Sequence, residues 1–115
     1  MVSSFRYAQA NGIMKDSAYP YVKYAGTCKY QNAETVVRNA GYGIPYSSVS
    51  ALMAQVAIQP VSVGISASSS VMQNYVSGII TGTSCGTTID HGVVIVGYGT
   101  SCCTDYWIVR NSWGT

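Results

Sequence analysis

In the last quarter of the chain the apolar residues fall in two compact runs. Asp90-His91-Gly92-Val93-Val94-Ile95-Val96-Gly97-Tyr98-Gly99 and Asp105-Tyr106-Trp107-Ile108-Val109-Arg110-Asn111-Ser112-Trp113-Gly114 are two apolar runs joined by a short loop of small and polar residues. That is the signature of a β-hairpin. Upstream, Val2, Phe5 and Ala8 share one helical face and Gly12 follows where a left-handed cap would stand, which predicts a helix over 4–11. Residues 15–30 read as an aromatic-lined loop, because the residue before Pro20 disfavours the helical region. Residues 35–42 read as a strand closed by Gly43-Ile44-Pro45. Ser47 or Ser48 can cap a second helix over 49–58, with Leu52, Met53 and Val56 as its buried face. Residues 61–66 alternate like a strand, 68–70 form a turn, 71–76 a short helix or turn, and 77–82 a brief strand between glycines. Short strands with two helices predict an α+β fold whose C-terminal part is a twisted antiparallel sheet or barrel.

Composition narrows the function classes. At 115 residues the chain is at most one ordinary domain, or a piece of a larger one. Its net charge of +2 and scattered basic residues give no footprint for nucleic acid. No apolar run approaches the roughly 20 residues of a membrane span, and the N-terminus lacks a signal-peptide pattern. Ten tyrosines beside one phenylalanine predict half-buried rings whose hydroxyls reach polar partners. Cys28, Cys85, Cys102 and Cys103 do not match metal-binding spacing; with few charges and one histidine, they fit a disulfide-bearing secreted or vesicular protein better than a zinc site. No metal or cofactor is expected.

The hairpin carries the candidate chemistry. With Tyr98 facing Tyr106, partner numbers add to 204; His91 then faces Trp113, and Asn111 lies one diagonal step away on the same face. An odd sum would part His91 from Asn111, because a one-residue slip turns every side chain over. On a shared face, Asn111 can hold one ring nitrogen of His91 and leave the other to exchange a proton with a nucleophile. Trp113 could cover that bond and exclude water. Asp90 is rejected as the orienter, since adjacent strand residues point to opposite faces. Pattern alone more often describes an ordinary, partly buried histidine. A serine nucleophile is a weaker reading, because Gly64-Ile65-Ser66-Ala67-Ser68 lacks the closing glycine of G-x-S-x-G.

These two segments closely resemble the His and Asn segments of papain-like cysteine peptidases. Tyr19-Pro20-Tyr21 with Cys28, Gln59-Pro60-Val61-Ser62-Val63, Tyr75-Val76-Ser77-Gly78-Ile79 and Ser84-Cys85-Gly86 continue the resemblance in the family's order. The resemblance implies a papain-like fold, with residues 1–32 ending the helical half and 33–115 forming most of the β-barrel half. It implies His91 as general base and acid, Asn111 as its orienter and Trp113 as the shielding ring. Gly64 and Ile89 match the pocket for the second residue before the cleaved bond, and a glycine there leaves room for a bulky apolar side chain. Gln73 matches a polar position on the leaving-group side. The implied partner is a peptide or protein substrate, and the implied setting is lysosomal, vacuolar or secreted.

The departures set further expectations. The family's Cys-Gly-Ser-Cys-Trp segment, with its nucleophile, and the glutamine before it are absent. The chain is expected to be a fragment that requires the missing N-terminal half of the same domain and has no activity alone. Cys28 and Cys85 match family disulfide positions whose partners would lie outside these residues. Cys102 and Cys103 sit in the hairpin loop, about 25 Å along the strands from His91, too far for a substitute nucleophile; they are a loop pair, free or in a strained bond. A truncated homologue acting as a binding or inhibitory module, or a pseudogene product, is the alternative.

Overall fold

In the computed structural model, which describes residues 1–45, 47–82 and 85–114, the two apolar runs form β4 (His91–Ser101) and β5 (Thr104–Arg110). β3 (Val61–Ile65) pairs with the other side of β4, giving an antiparallel sheet in the order β3-β4-β5. The central position of β4 explains its apolar run: Val93 and Ile95 are buried, and such a strand must satisfy two neighbours and a covering layer. α2 (Val49–Val56) packs against β4. Ser48 caps this helix by accepting a hydrogen bond from the Ala51 N–H at 3.1 Å. Val56 is buried and Leu52 half-buried, but Met53 is exposed. Residues 52 and 56 lie one turn apart, whereas 53 is rotated away from their stripe. The sheet keeps two open edges among the described residues and does not close into a barrel.

The contacts divide the chain into two compact units, Met1–Ile44 and Pro45–Thr115. In the first, α1 (Val2–Asn11) buries Ala8, whereas Phe5 is exposed and stacks on Tyr42 with centroids 6.3 Å apart. Gly12 ends the helix at φ 83°, and a Cβ there would collide with Thr35 Cγ2. β1 (Ile13–Met14), too short to show any period, pairs with β2 (Thr35–Val37) after a 3-10 turn at Asn32–Glu34. β2 therefore stops where its two-residue partner stops, short of the expected 42. The tyrosines divide. Tyr42 Oη accepts from Arg6 Nε at 2.7 Å and Tyr19 Oη from the Lys29 N–H at 3.1 Å, while Tyr21 and Tyr24 are exposed.

Residues 77–82, expected as a strand, are irregular because Gly78 and Gly82 both take φ 90° and bend the chain. The four cysteines are all free: Cys28 and Cys85 have no partner within these residues, and Cys102 and Cys103 take the free of their two expected states.

The hairpin register departs from expectation in one place. Tyr98 faces Trp107, not Tyr106, and every pair from Gly97–Ile108 to Ser101–Thr104 adds to 205. Ile95 faces Val109 and Val94 faces Arg110, which add to 204. Val96 is the extra residue, a β-bulge that changes the register by one. The cause lies at the tip. Cys102 and Cys103 form a two-residue loop with φ 46° and 62°, the double left-handed turn whose twist matches that of paired strands. Such a turn imposes the odd register, and the bulge restores the even one before His91.

Left-handed conformations cost non-glycine residues roughly 1–2 kcal/mol each. Replacing Cys102→Asn together with Cys103→Gly is therefore expected to stabilise the chain by about 1 kcal/mol. A denaturant midpoint that stays put or falls would contradict this account of the tip.

Candidate active site

His91 begins β4 opposite Ile65, and the ladder runs one step further through the Asp90 N–H, which donates to the Ile65 carbonyl at 3.1 Å. Beyond the bulge, the even register directs the chain after β5 back across His91. The His91 ring stacks on the Trp113 indole, with centroids 4.9 Å apart and planes at 28°. Its Nε2 lies 2.9 Å from Asn111 Oδ1. The same Oδ1 accepts the Ser112 N–H at 2.7 Å.

That second bond, which the sequence reading missed, settles the proton. A backbone N–H only donates, so the amide atom facing Ser112 is the oxygen. An amide oxygen only accepts, so Nε2 carries the hydrogen in the neutral ring. Nδ1 then keeps its lone pair, and it has no hydrogen-bond partner among the described residues. Trp113 is 52 % exposed and lies against the ring like a partial lid.

Asp90 has a different task. Its carboxylate accepts the Ala67 N–H at 2.7 Å and the Ser68 N–H at 3.2 Å, so it turns to the loop after β3 and away from the imidazole. The Ala67 N–H chiefly, and Ser68 next, hold this carboxyl below the usual aspartate range. The bonds pin the loop that leads into α3 (Ser70–Gln73), where Ser69 Oγ accepts the Met72 N–H. An aspartate preceding the histidine was the available signal, and the reading used it only to dismiss an orienter.

Around these groups lies an open hollow of about 410 Å³, lined by Ala67, Ser68, Gln73, Asp90, His91 and Trp113. The structure thus joins His91 to Asn111 and Trp113 and brings Gln73 to the same hollow. Gly64 pairs with Gly92, next to the Ile65–His91 pair, and Ile89 is 66 % exposed; neither lines the hollow. No cysteine lines it, and Ser66 does not either. Among the described residues no three His, Cys, Asp or Glu side chains are placed to hold a metal ion. No helix among them is long and apolar enough to cross a membrane.

Two outcomes follow from this geometry. In Asn111→Ala, His91 loses an interaction of about 1 kcal/mol, so ring ¹⁵N shifts should move from an Nε2–H tautomer toward a mixture; unchanged shifts would refute the assignment. For Asp90, the folded-state acidity is increased, so its stabilisation is complete above the unfolded pKa of about 3.9 and is lost as pH falls through the lower folded value. The stability gap between wild type and Asp90→Asn should hold constant above about pH 5 and shrink below about pH 4. A gap independent of pH would show that the loop does not depend on the charge.

The whole chain, residues 1–115, matches the family model described as papain family cysteine protease. It is 49% identical over 109 residues to vignain of Ricinus communis, covering 92% of this chain and 30% of that protein. It is 46% identical over 114 residues to a low-temperature-induced cysteine proteinase of Solanum lycopersicum, covering 96% of this chain and 33% of that one. The fold superposes on a digestive procathepsin L2 proteinase from the larval midgut of Tenebrio molitor with TM-score 0.89 and 36% identity, over 99% of this chain and 37% of that one. The chain spans about a third of the length of the curated relatives it matches. With its sequence matched from end to end and its fold shared, the chain belongs to the papain family of cysteine proteases.

Proposed function

We propose that this chain supplies the base-and-orienter half of a peptide-bond hydrolase whose nucleophilic thiol stands outside these 115 residues. The observation that carries the reading is the doubly committed Asn111 oxygen. It fixes hydrogen on His91 Nε2 and leaves Nδ1 free to take a proton. A thiol placed against Nδ1 gives up its proton, and the thiolate attacks the peptide carbonyl carbon. The imidazolium then protonates the departing amine, leaving an acyl-enzyme. Water attacks that thioester carbon as Nδ1 takes its proton; the C–S bond breaks, releasing the carboxylic product, and the proton returns to the thiolate. Asn111 Oδ1 stabilises the imidazolium through both proton transfers, and Trp113 shields that bond from water.

The hollow beside His91 gives the substrate a place to lie, with Gln73 offering an amide on the leaving-group side. Gly64 and Ile89 bound the pocket for the second residue before the cleaved bond, where the absence of a side chain at 64 admits a bulky apolar group. The substrate is a peptide or protein, and a lysosomal, vacuolar or secreted setting suits such an enzyme.

The test uses the complete peptidase and this chain side by side on fluorogenic peptides. His91→Ala in the complete enzyme should lower kcat/KM at least about 100-fold, the scale of a lost general base. Peptides with Leu or Phe at the second position should be cleaved faster than those with Ala, and the isolated chain should cleave none. Retained activity in His91→Ala would sink the assignment; indifference to side-chain bulk would sink the pocket alone.

A further inference from the structure

The vicinal cysteines at the hairpin tip take no part in the site described above. Both are exposed and free, and both occupy left-handed backbone positions. A two-residue turn of this kind is made without strain by Asn-Gly or Gly-Gly. Nothing in the pairing of Ser101 with Thr104 requires sulfur. The chain thus holds two adjacent thiols at an exposed turn, in a conformation unfavourable to both residues. Strained positions of this kind gather where a side chain has a task.

We propose that Cys102 and Cys103 form a dithiol site for trivalent arsenic and kindred thiophilic ions that accept two sulfur ligands. Their adjacency selects this chemistry over a structural disulfide. Consecutive Cα atoms stand about 3.8 Å apart across a trans peptide, less than the roughly 4.4–6.8 Å span of ordinary disulfides. A direct S–S bond between neighbours therefore closes a strained ring. An inserted atom that bonds both sulfurs enlarges the ring and relieves that strain. Soft thiolate donors favour soft acceptors. Among the described residues no third His, Cys, Asp or Glu joins the pair, so the site suits an acceptor with two open valences and not a tetrahedral ion such as zinc.

Phenylarsine oxide is the probe. Each thiol gives up its proton, two As–S bonds replace the bonds from arsenic to oxygen, and the oxygen leaves with both protons as water. Arsenic remains trivalent and neither sulfur is oxidised. The reduced chain is expected to take up one phenylarsenic group by intact mass and to fall from four reactive thiols to two. The adduct should survive a large excess of 2-mercaptoethanol and be released by 2,3-dimercaptopropanol. Cys102→Ser and Cys103→Ser should each reduce the 2-mercaptoethanol concentration for half-release at least tenfold, while Cys28→Ser and Cys85→Ser leave it unchanged. Cys102→Asn with Cys103→Gly, which keeps the turn, should lose the resistant adduct while retaining the wild-type circular dichroism. An adduct that survives in Cys102→Ser or Cys103→Ser as in the wild type would overturn the assignment. So would a wild-type adduct released as easily as theirs.

Discussion

The site depends on a conflict of register and its resolution at one residue. The two-residue tip forces partner numbers to an odd sum, and carried to the start of β4 that sum would set His91 across from Gly114, with Asn111 on the other face. A histidine and an asparagine on opposite faces of a sheet cannot bond. Val96 absorbs the difference: as the unpaired residue of a bulge it lets Ile95 meet Val109 while Gly97 meets Ile108. Next to the bulge, Gly97 leaves room for the Ile108 side chain, whose Cδ1 would stand 3.2 Å from a Cβ there. The tight turn and the His91–Asn111 bond coexist only because the ladder changes parity between them.

What the hairpin brings together, short local bonds then complete. The Ser112 N–H chooses which end of the Asn111 amide faces His91, and that choice selects the tautomer. Asp90 works in the opposite direction along the chain. By accepting two N–H groups from the loop after β3, it ties α3 and Gln73 to the strand that starts at His91. The dipeptide Asp90-His91 thus anchors the loop after β3 with one side chain and bonds Asn111 with the other.

Much of this was legible from residue order. The hairpin, the Ser48 cap and the grouping of His91, Asn111 and Trp113 followed from periodicity, turn chemistry and strand parity, and the family motifs gave them roles. His91, Asn111 and Trp113 are neighbours as strand parity predicts, although Tyr98 faces Trp107 and not Tyr106. A bulge leaves no mark in an apolar run such as Val93-Val94-Ile95-Val96, where several residues are equally suited to be the extra one. The Asp90 anchor was hidden for a related reason: its partners are backbone N–H groups 22 and 23 residues away, and backbone donors have no sequence identity. The expected strand over 77–82 failed because two left-handed glycines outweigh the apolar pair Ile79-Ile80 between them.

The placement of Asn111 shows why so many small contacts converge on one ring. Among the described residues β5 is an edge strand, held by β4 alone, and its Ile108 and Val109 are 48 % and 44 % exposed. Edge strands fray first where burial is low, and Asn111 lies just past the end of this one. The bond from Nε2 to Oδ1 contributes about 1 kcal/mol. The stacked His91–Trp113 pair contributes about as much again, within the range for aromatic pairs. Together they favour the assembled end over the frayed one by roughly thirtyfold. The contacts that orient the imidazole are thus also those that keep the edge of the sheet in place, and loosening either would disturb both.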